Sequence, residues 1–308
     1  MSTPLVSVGI PTYNRPEGLL ETLQNIAKQS YKNLEIIVSD NCSPEANGIK
    51  VKQILENFYR NDNRVKYYIQ EQNMGAHKNF AFVLSQATGE YFMWAADDDI
   101  IEPEFINECV QNHISGDYGV VFSKWNVSIK NKKSILNKLI RNPDHSYVAD
   151  DDWRIRIEKY LSIAACTHKS NILYGLWQRK FIVNIYGKFT HFPDENVFRG
   201  MDITMIAHAL VKKRAFCINK VLFNKYYPVF VPGSYKCCLQ FIRTRIIRKK
   251  YLKKCIEKRR IYLKLKDSYN TQFNMLEYAL KEAGLTNDET GYLLQLHKKS
   301  IKYCAYFE

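Results

Sequence analysis

The chain has 308 residues, 46% hydrophobic and 25% charged, with 21 Tyr and 16 Phe. That balance excludes a disordered or low-complexity protein and allows one large domain or one domain with an appendage. Its 45 Lys and Arg exceed its 31 Asp and Glu, and the net charge of +14 points to an anionic partner: nucleic acid, an acidic membrane surface or a phosphorylated substrate.

Met1–Leu5 leads directly into a β-type segment, without the basic start and apolar stretch of a signal peptide. No apolar run reaches the roughly 18–20 residues that a membrane-spanning helix needs. The eight Cys form no C-x-x-C pair, so a zinc site has little support and a reducing cytoplasm is the simplest compartment. Over the first hundred residues, short β-branched and aromatic runs alternate with helical patterns, which predicts an α/β fold with a mostly parallel central sheet. Strands are expected at Val6–Ile10, Glu35–Ser39, Val65–Ile69 and Tyr91–Trp94. Helices are expected near Pro16–Gln29, Ala46–Arg60 and Gly75–Ala87. Pro16 suits a first helical turn, and Leu19, Leu20, Leu23 and Ile26 form one core-facing stripe.

Asp97-Asp98-Asp99 follows the apolar run Tyr91-Phe92-Met93-Trp94-Ala95-Ala96. In an open α/β sheet, ligands bind outside the carboxyl ends of the strands, so these acids fall where a substrate is expected. Three adjacent carboxylates repel each other by roughly 1 kcal/mol per pair at about 4 Å in water, and by more when half buried. A divalent cation that prefers oxygen, Mg2+ or Mn2+, would offset that repulsion. The competing reading is an acidic turn capping a helix that starts near Pro103. Three further turns follow the other strands: Pro11-Thr12-Tyr13-Asn14-Arg15, Asp40-Asn41-Cys42-Ser43 and Asn73-Met74-Gly75. Singly each reads as turn chemistry; together, polar groups at four strand ends describe one composite pocket.

From about Glu104 to Tyr227 the pattern is less regular, with a strand-like Gly119–Phe122, a helical stretch after Asp150, a helix from Asp202 to Lys213 and a strand at Phe216–Phe223. Pro232-Gly233 punctuates the chain. Beyond it, Arg243–Arg260 holds ten basic residues, among them Arg243, Arg245, Arg248, Lys249, Lys250, Lys253 and Lys254, against Glu257 alone, a net +9. The domain reading is a catalytic domain over 1–233, divided into a nucleotide-binding half (1–110) and an acceptor half (111–233), with a basic helical extension over 234–308.

The stretch from Leu5 to about Glu108 resembles the family-2 glycosyltransferases, inverting enzymes of the type-A glycosyltransferase (nucleotide-diphospho-sugar transferase) fold. The resemblance rests on Val6–Arg15, Glu35–Asn41, Asn73-Met74-Gly75 and the Asp-rich turn, in that order. It implies that Pro11, Thr12, Tyr13 and Arg15 line a nucleotide pocket and that Asp40 meets the base or ribose. Asn73 and Gly75 would shape the base-binding loop, and Asp97 and Asp98 would meet the nucleotide. Relatives often read Asp-Ser-Asp-Asp at the turn, an alignment that puts Ala96 at the first Asp position and the metal on Asp98 or Asp99. An inverting enzyme also needs a carboxylate that takes the acceptor proton. Gly200-Met201-Asp202 resembles the family's element for that role, with Asp202 as catalytic base or, alternatively, a helix N-cap. Asp194 and Glu195 are fallback bases on the acceptor side. Gly175-Leu176-Trp177-Gln178-Arg179 resembles the segment before the acceptor loop; Trp177 would stack on an acceptor sugar, or pack in the core, and Arg179 would lie near phosphate.

The basic segment has three readings: an amphipathic helix on an anionic membrane surface, a solvated face packed on the catalytic domain, or the seam of a homo-oligomer. A nucleic-acid-binding protein would explain that segment but leave the strand-end motifs without a role, and a sugar-nucleotidyltransferase would need a Gly-rich phosphate loop after the first strand. The expectation is a cytoplasmic, peripherally membrane-associated, metal-dependent glycosyltransferase. It would move a hexosyl-type sugar from a nucleotide-sugar donor to a hydroxyl of a saccharide or lipid-linked acceptor in surface polysaccharide biosynthesis.

Overall fold

Strands β1 (Val6–Thr12) and β2 (Leu34–Asp40) are buried at every position. Such near-continuous apolar runs are what a sheet covered on both faces requires. The computed structural model describes residues 3–97, 99–129, 144–163, 168–189, 198–227 and 272–305. In it β1 pairs in parallel with β2 and with β4 (Tyr91–Trp94), and β2 pairs in parallel with β3 (Val65–Ile69). The intervening helices are α1 (Pro16–Ala27), α2 (Glu45–Asn61) and α3 (Ala76–Ser85). Pro16 occupies the first turn of α1, where its missing N–H costs nothing, and Leu19, Leu23 and Ile26 bury that helix against the sheet. Each of the four expected strands lies within an observed one. The helices begin or end within one or two residues of expectation, with Gly75, at φ +83°, serving as the residue before α3.

The sheet continues from β4 through β7 (Leu176–Gln178), β6 (Val120–Ile129) and β8 (Ala215–Tyr227) to β5 (Asp99–Ile101). β7 is antiparallel to both β4 and β6, whereas β6 and β8 run parallel. The β6–β8 register shifts on either side of Lys124, and extra residues in β8 bend that strand. The short β5 pairs antiparallel with it, with Asp99 opposite Lys225.

Helices α4 (Phe105–Ser115), α5 (Trp153–Ser162), α6 (Arg179–Phe189) and α7 (Phe198–Lys212) pack around this second part of the sheet. Two C-terminal helices, α8 (272–282) and α9 (Asn287–Ala305), join them. Met275, Leu276, Ala279 and Leu280 are buried in the common core, and Ala279 O accepts a hydrogen bond from His208 Nδ1 at 2.9 Å. Lys188–Glu282 and Arg154–Glu289 ion pairs at 2.9 and 3.0 Å tie α8 and α9 to α6 and α5. The basic segment Arg243–Arg260 lies outside the described residues, as do Asp98, Asp194 and Glu195. No helix among the described residues is long and apolar enough to cross a membrane.

Candidate active site

The turns after β1, β2, β3 and β4 surround a cleft of about 540 Å³. Pro11, Thr12, Tyr13 and Arg15 line one side, Asn41 and Asn73 the next, and Asp97 the floor, while Ala76, Asn79 and Phe80 contribute from α3. Tyr13 remains 42% exposed, an aromatic face open to the cleft.

Asp97 is held at both oxygens. Thr12 Oγ1 donates to Oδ2 at 2.8 Å and Arg15 Nη1 to Oδ1 at 2.9 Å, so a nearly buried carboxylate keeps a counter-ion that is itself half exposed. The turn carrying Asp97 is fixed by α1. A Cβ at residue 18 would lie 2.1 Å from the carbonyl oxygen of Asp97, so glycine is what lets the helix approach so closely. One turn on, Thr22 Oγ1 donates to Ala96 O at 3.2 Å, and the Asn25 amide exchanges hydrogen bonds of 2.9 and 3.0 Å with the Ile101 backbone. Gly18, Thr22 and Asn25 share a helix face beside the Leu19–Leu23–Ile26 stripe, since residues three and four apart are neighbours there. That small and polar face is the sequence signal for the turn's support.

At the end of β2, Asp40 is buried beneath the cleft, its carboxylate accepting from Ser43 Oγ at 2.5 Å and Ser43 N–H at 3.1 Å, a local Asx-type turn. Its neighbour Asn41 forms the wall in its place. Asn41 Nδ2 donates to Asn73 Oδ1, while Asn41 Oδ1 accepts from Met74 N–H and Asn73 Oδ1 from Gly75 N–H, all at 2.9 Å. Beneath them the Asn79 amide joins the strand ends, accepting from Ser39 Oγ at 2.6 Å and donating to Ser39 O at 3.1 Å.

The opposite wall comes from later in the chain. Tyr174 ends a short 3-10 helix, Lys169–Tyr174, and Lys225 lies near the end of β8; both line the cleft. Lys225 Nζ reaches the two Asp99 carboxylate oxygens at 3.2 and 3.0 Å. The other end of the 3-10 helix adjoins Asp202. Burial pushes the Asp202 carboxyl above its ordinary pKa, against hydrogen bonds from Ile203 N–H and Ser170 that favour the ionised form. The helix begins at Phe198, ahead of the expected start, so Asp202 is its fifth residue and not its N-cap. Lys169, fully buried beside it, donates to the carbonyls of Tyr160 and Ile163 at 2.7 and 2.8 Å.

Two acceptor-side expectations are corrected. Trp177 is fully buried in β7, paired with Phe92 and Val120, and its indole N–H donates to Leu173 O at 2.9 Å. No face is left for a sugar, and Trp177 is a core residue. Arg179 donates through its guanidinium to Gly89 O and through its backbone N–H to Glu90 O. Because β7 runs antiparallel to β4, residues following it arrive at the amino edge of the sheet, opposite the cleft. Residues not singled out from sequence are Asn41, Asn79, Phe80, Tyr174 and Lys225. The first three lie within or just after strand-end motifs already noted; the last two carry no local signal.

Among the described residues no group of three or more His, Cys, Asp or Glu is arranged to hold a metal. Asp97 and Asp99 nonetheless supply hard carboxylate oxygens at or beside the cleft, the donor chemistry of Mg2+ or Mn2+, which need only one or two protein carboxylates when phosphate oxygens complete the shell.

The family profile described as "Glycosyl transferase family 2" matches residues 7–171. The chain is 35% identical over 121 residues to "Glycosyltransferase GlyG" of Streptococcus pneumoniae, covering 39% of each protein. It is 34% identical over 120 residues to "GalNAc(5)-diNAcBac-PP-undecaprenol beta-1,3-glucosyltransferase" of Campylobacter jejuni, covering 39% of this chain and 37% of that one. These alignments span less than two-fifths of each relative's length. In three dimensions it is similar to S. aureus TarS 1-349, solved in complex with UDP-GlcNAc, at a TM-score of 0.63 and 17% identity over 96% of this chain and 72% of that one. That likeness establishes the type-A glycosyltransferase fold.

Proposed function

Because this chain belongs to glycosyl transferase family 2, we propose that it is an inverting glycosyltransferase whose cleft takes a nucleotide-sugar donor. The sugar moves to a hydroxyl of a saccharide or lipid-linked acceptor, in the biosynthesis of a surface polysaccharide or glycan. The observation that carries the reading is the convergence of Thr12, Arg15, Asn41, Asn73 and Asp97 on one cleft at the carboxyl ends of four adjacent parallel strands. Tyr13 offers a ring to the base, the Asn41–Asn73 amides offer donors and acceptors to base and ribose with Asp40 behind them, and Arg15 offers a guanidinium to phosphate.

Mn2+ or Mg2+, held by Asp98 and Asp99, would offset charge on the leaving diphosphate. Asp202 takes the proton of the attacking hydroxyl as the bond to the anomeric carbon forms and the bond to the diphosphate breaks. A carboxylate raised by burial is a stronger base than an exposed one, which favours Asp202 over an ordinary surface acid. In this reading residues 1–110 bind the donor and 111–233 face the acceptor. The +9 segment at Arg243–Arg260 would hold the enzyme on an anionic membrane surface, at about 1 kcal/mol per basic residue, consistent with a lipid-linked acceptor.

A thermal-shift screen of nucleoside diphosphates and nucleotide sugars, with and without Mn2+, tests the donor assignment. At a concentration about 100-fold above Kd the matching nucleotide adds about 2.7 kcal/mol to stability. If no nucleotide raises the melting temperature, the donor site is assigned wrongly.

A further inference from the structure

From the far wall of the cleft we infer that Lys225 binds the diphosphate of the donor, opposite Arg15, and that Asp99 and Tyr174 hold it at that wall until the donor arrives. This rests on the donor-site reading above and adds a residue to it that no strand-end motif contains. The first observation is position. The antiparallel β5–β8 register sets Lys225 directly across from Asp99, the residue two beyond Asp97, and cross-strand partners project to the same face. Lys225 and Arg15 both line the cleft that Asp97 floors.

The second observation is orientation. Lys is a flexible point charge that loses rotamer freedom when fixed. Here the Lys225 side chain is only 14% exposed, its ammonium 3.0 Å from Asp99 Oδ2 and 5.1 Å from the centroid of the Tyr174 ring, which it overlies. A lysine merely balancing Asp99 would need neither the ring beneath it nor a place in the cleft wall. The arrangement pre-orders a cation at the surface where an anion would arrive.

The third observation is charge balance. The Asp99 side chain is only 3% exposed, so its carboxylate needs a counter-charge at all times. The same pattern recurs at Asp97, whose partner Arg15 also faces the cleft. A donor arriving with a divalent cation brings both halves of an exchange: cationic charge for the carboxylates, and phosphate oxygens for Lys225 and Arg15. No buried charge is stranded as the partners change.

The test separates phosphate recognition from base recognition and from folding. Binding of UDP, GDP, uridine and guanosine is measured by calorimetry on the full chain with Mn2+ and, in parallel, in EDTA. Lys225→Met alone would leave Asp99 buried without its partner, so the informative comparison is Asp99→Asn against the Asp99→Asn/Lys225→Met double variant, with Lys225→Arg as the conservative control. We expect the double variant to bind the preferred nucleoside diphosphate at least about 10-fold more weakly than Asp99→Asn, with nucleoside affinity unchanged, and Lys225→Arg to stay within a few-fold of wild type. Equal diphosphate affinity in the single Asp99→Asn variant and the double variant, or an equal loss for diphosphate and nucleoside, overturns the role of Lys225. Failure of every nucleotide to bind the wild-type protein, with Mn2+ as well as without it, overturns the donor-site reading instead.

Discussion

Thr12, Arg15 and Asp97 meet because two neighbouring parallel strands, β1 and β4, end at one edge. Lys225 and Asp99 meet by another route, across an antiparallel ladder whose members are 126 residues apart. The first wall of the cleft is local in sequence and follows from strand and turn chemistry alone. The second depends on a bent β8, and Asp202 depends on contacts between α7 and the 3-10 helix at Lys169–Tyr174. A cleft built this way can keep its first wall nearly constant while its second varies, because the two are specified by separate stretches of chain.

The sharpest way to break that division is Asp202→Asn. If Asp202 is the base, transfer should fall about 10²–10⁴-fold while nucleotide binding measured by calorimetry is retained. Unchanged transfer removes Asp202 from the chemistry. Trp177→Ala should act in the opposite manner, lowering stability by about 3–5 kcal/mol in chemical denaturation and leaving donor affinity of the folded fraction intact. A selective loss of acceptor saturation at unchanged stability would restore the stacking role.

Glu35 tests the first half of the chain alone. Burial by itself would raise its pKa, but hydrogen bonds from Ser7, Thr88 and Lys66 outweigh it and hold the carboxyl at about 2, against an ordinary 4.5. The folded pKa is depressed, so the stabilisation is complete above about pH 4.5 and is lost as pH falls toward about 2. It amounts to about 3 kcal/mol. Glu35→Gln should flatten that acid limb in urea titrations; a profile parallel to wild type would show that Glu35 is not its source. The smallest effect is expected for Thr12→Val, which removes one hydrogen bond to Asp97. Nucleoside diphosphate binding should weaken about 5-fold, equivalent to about 1 kcal/mol, and an effect above 100-fold would mean that Thr12 touches the ligand directly.

The four central strands are legible because each is a compact β-branched or aromatic run ending in Asn, Asp, Gly or Pro, and the helices because Leu19–Ile26 and its counterparts repeat at 3.6-residue spacing. The strand-end motifs therefore point to the cleft and to Thr12, Arg15, Asn73 and Asp97. β5 and β7 are not legible as strands, since three residues carry no periodicity. The roles of Trp177 and Arg179 are misread for the same reason: in a chain assumed to run toward the cleft, the segment after Gly175 would arrive there, and only the antiparallel pairing with β4 sends it to the opposite edge. Asp40 lies on the expected strand end but one residue from the wall, because its turn with Ser43 turns the carboxylate inward. Lys225 has no local mark; its meaning resides wholly in a partner far away in the chain.

That separation matters on the ribosome. At synthesis rates of roughly 5–20 residues per second, Asp99 precedes Lys225, 126 residues later, by roughly 6–25 s. During that interval the nascent N-terminal strands can pair in parallel, yet the chain must carry Asp99 without its ammonium partner and, until residue 178 is made, β4 without β7. The emergence of β8 is then the event that commits the chain, and a ribosome paused before residue 225 would hold an open, unneutralised edge for chaperones to cover.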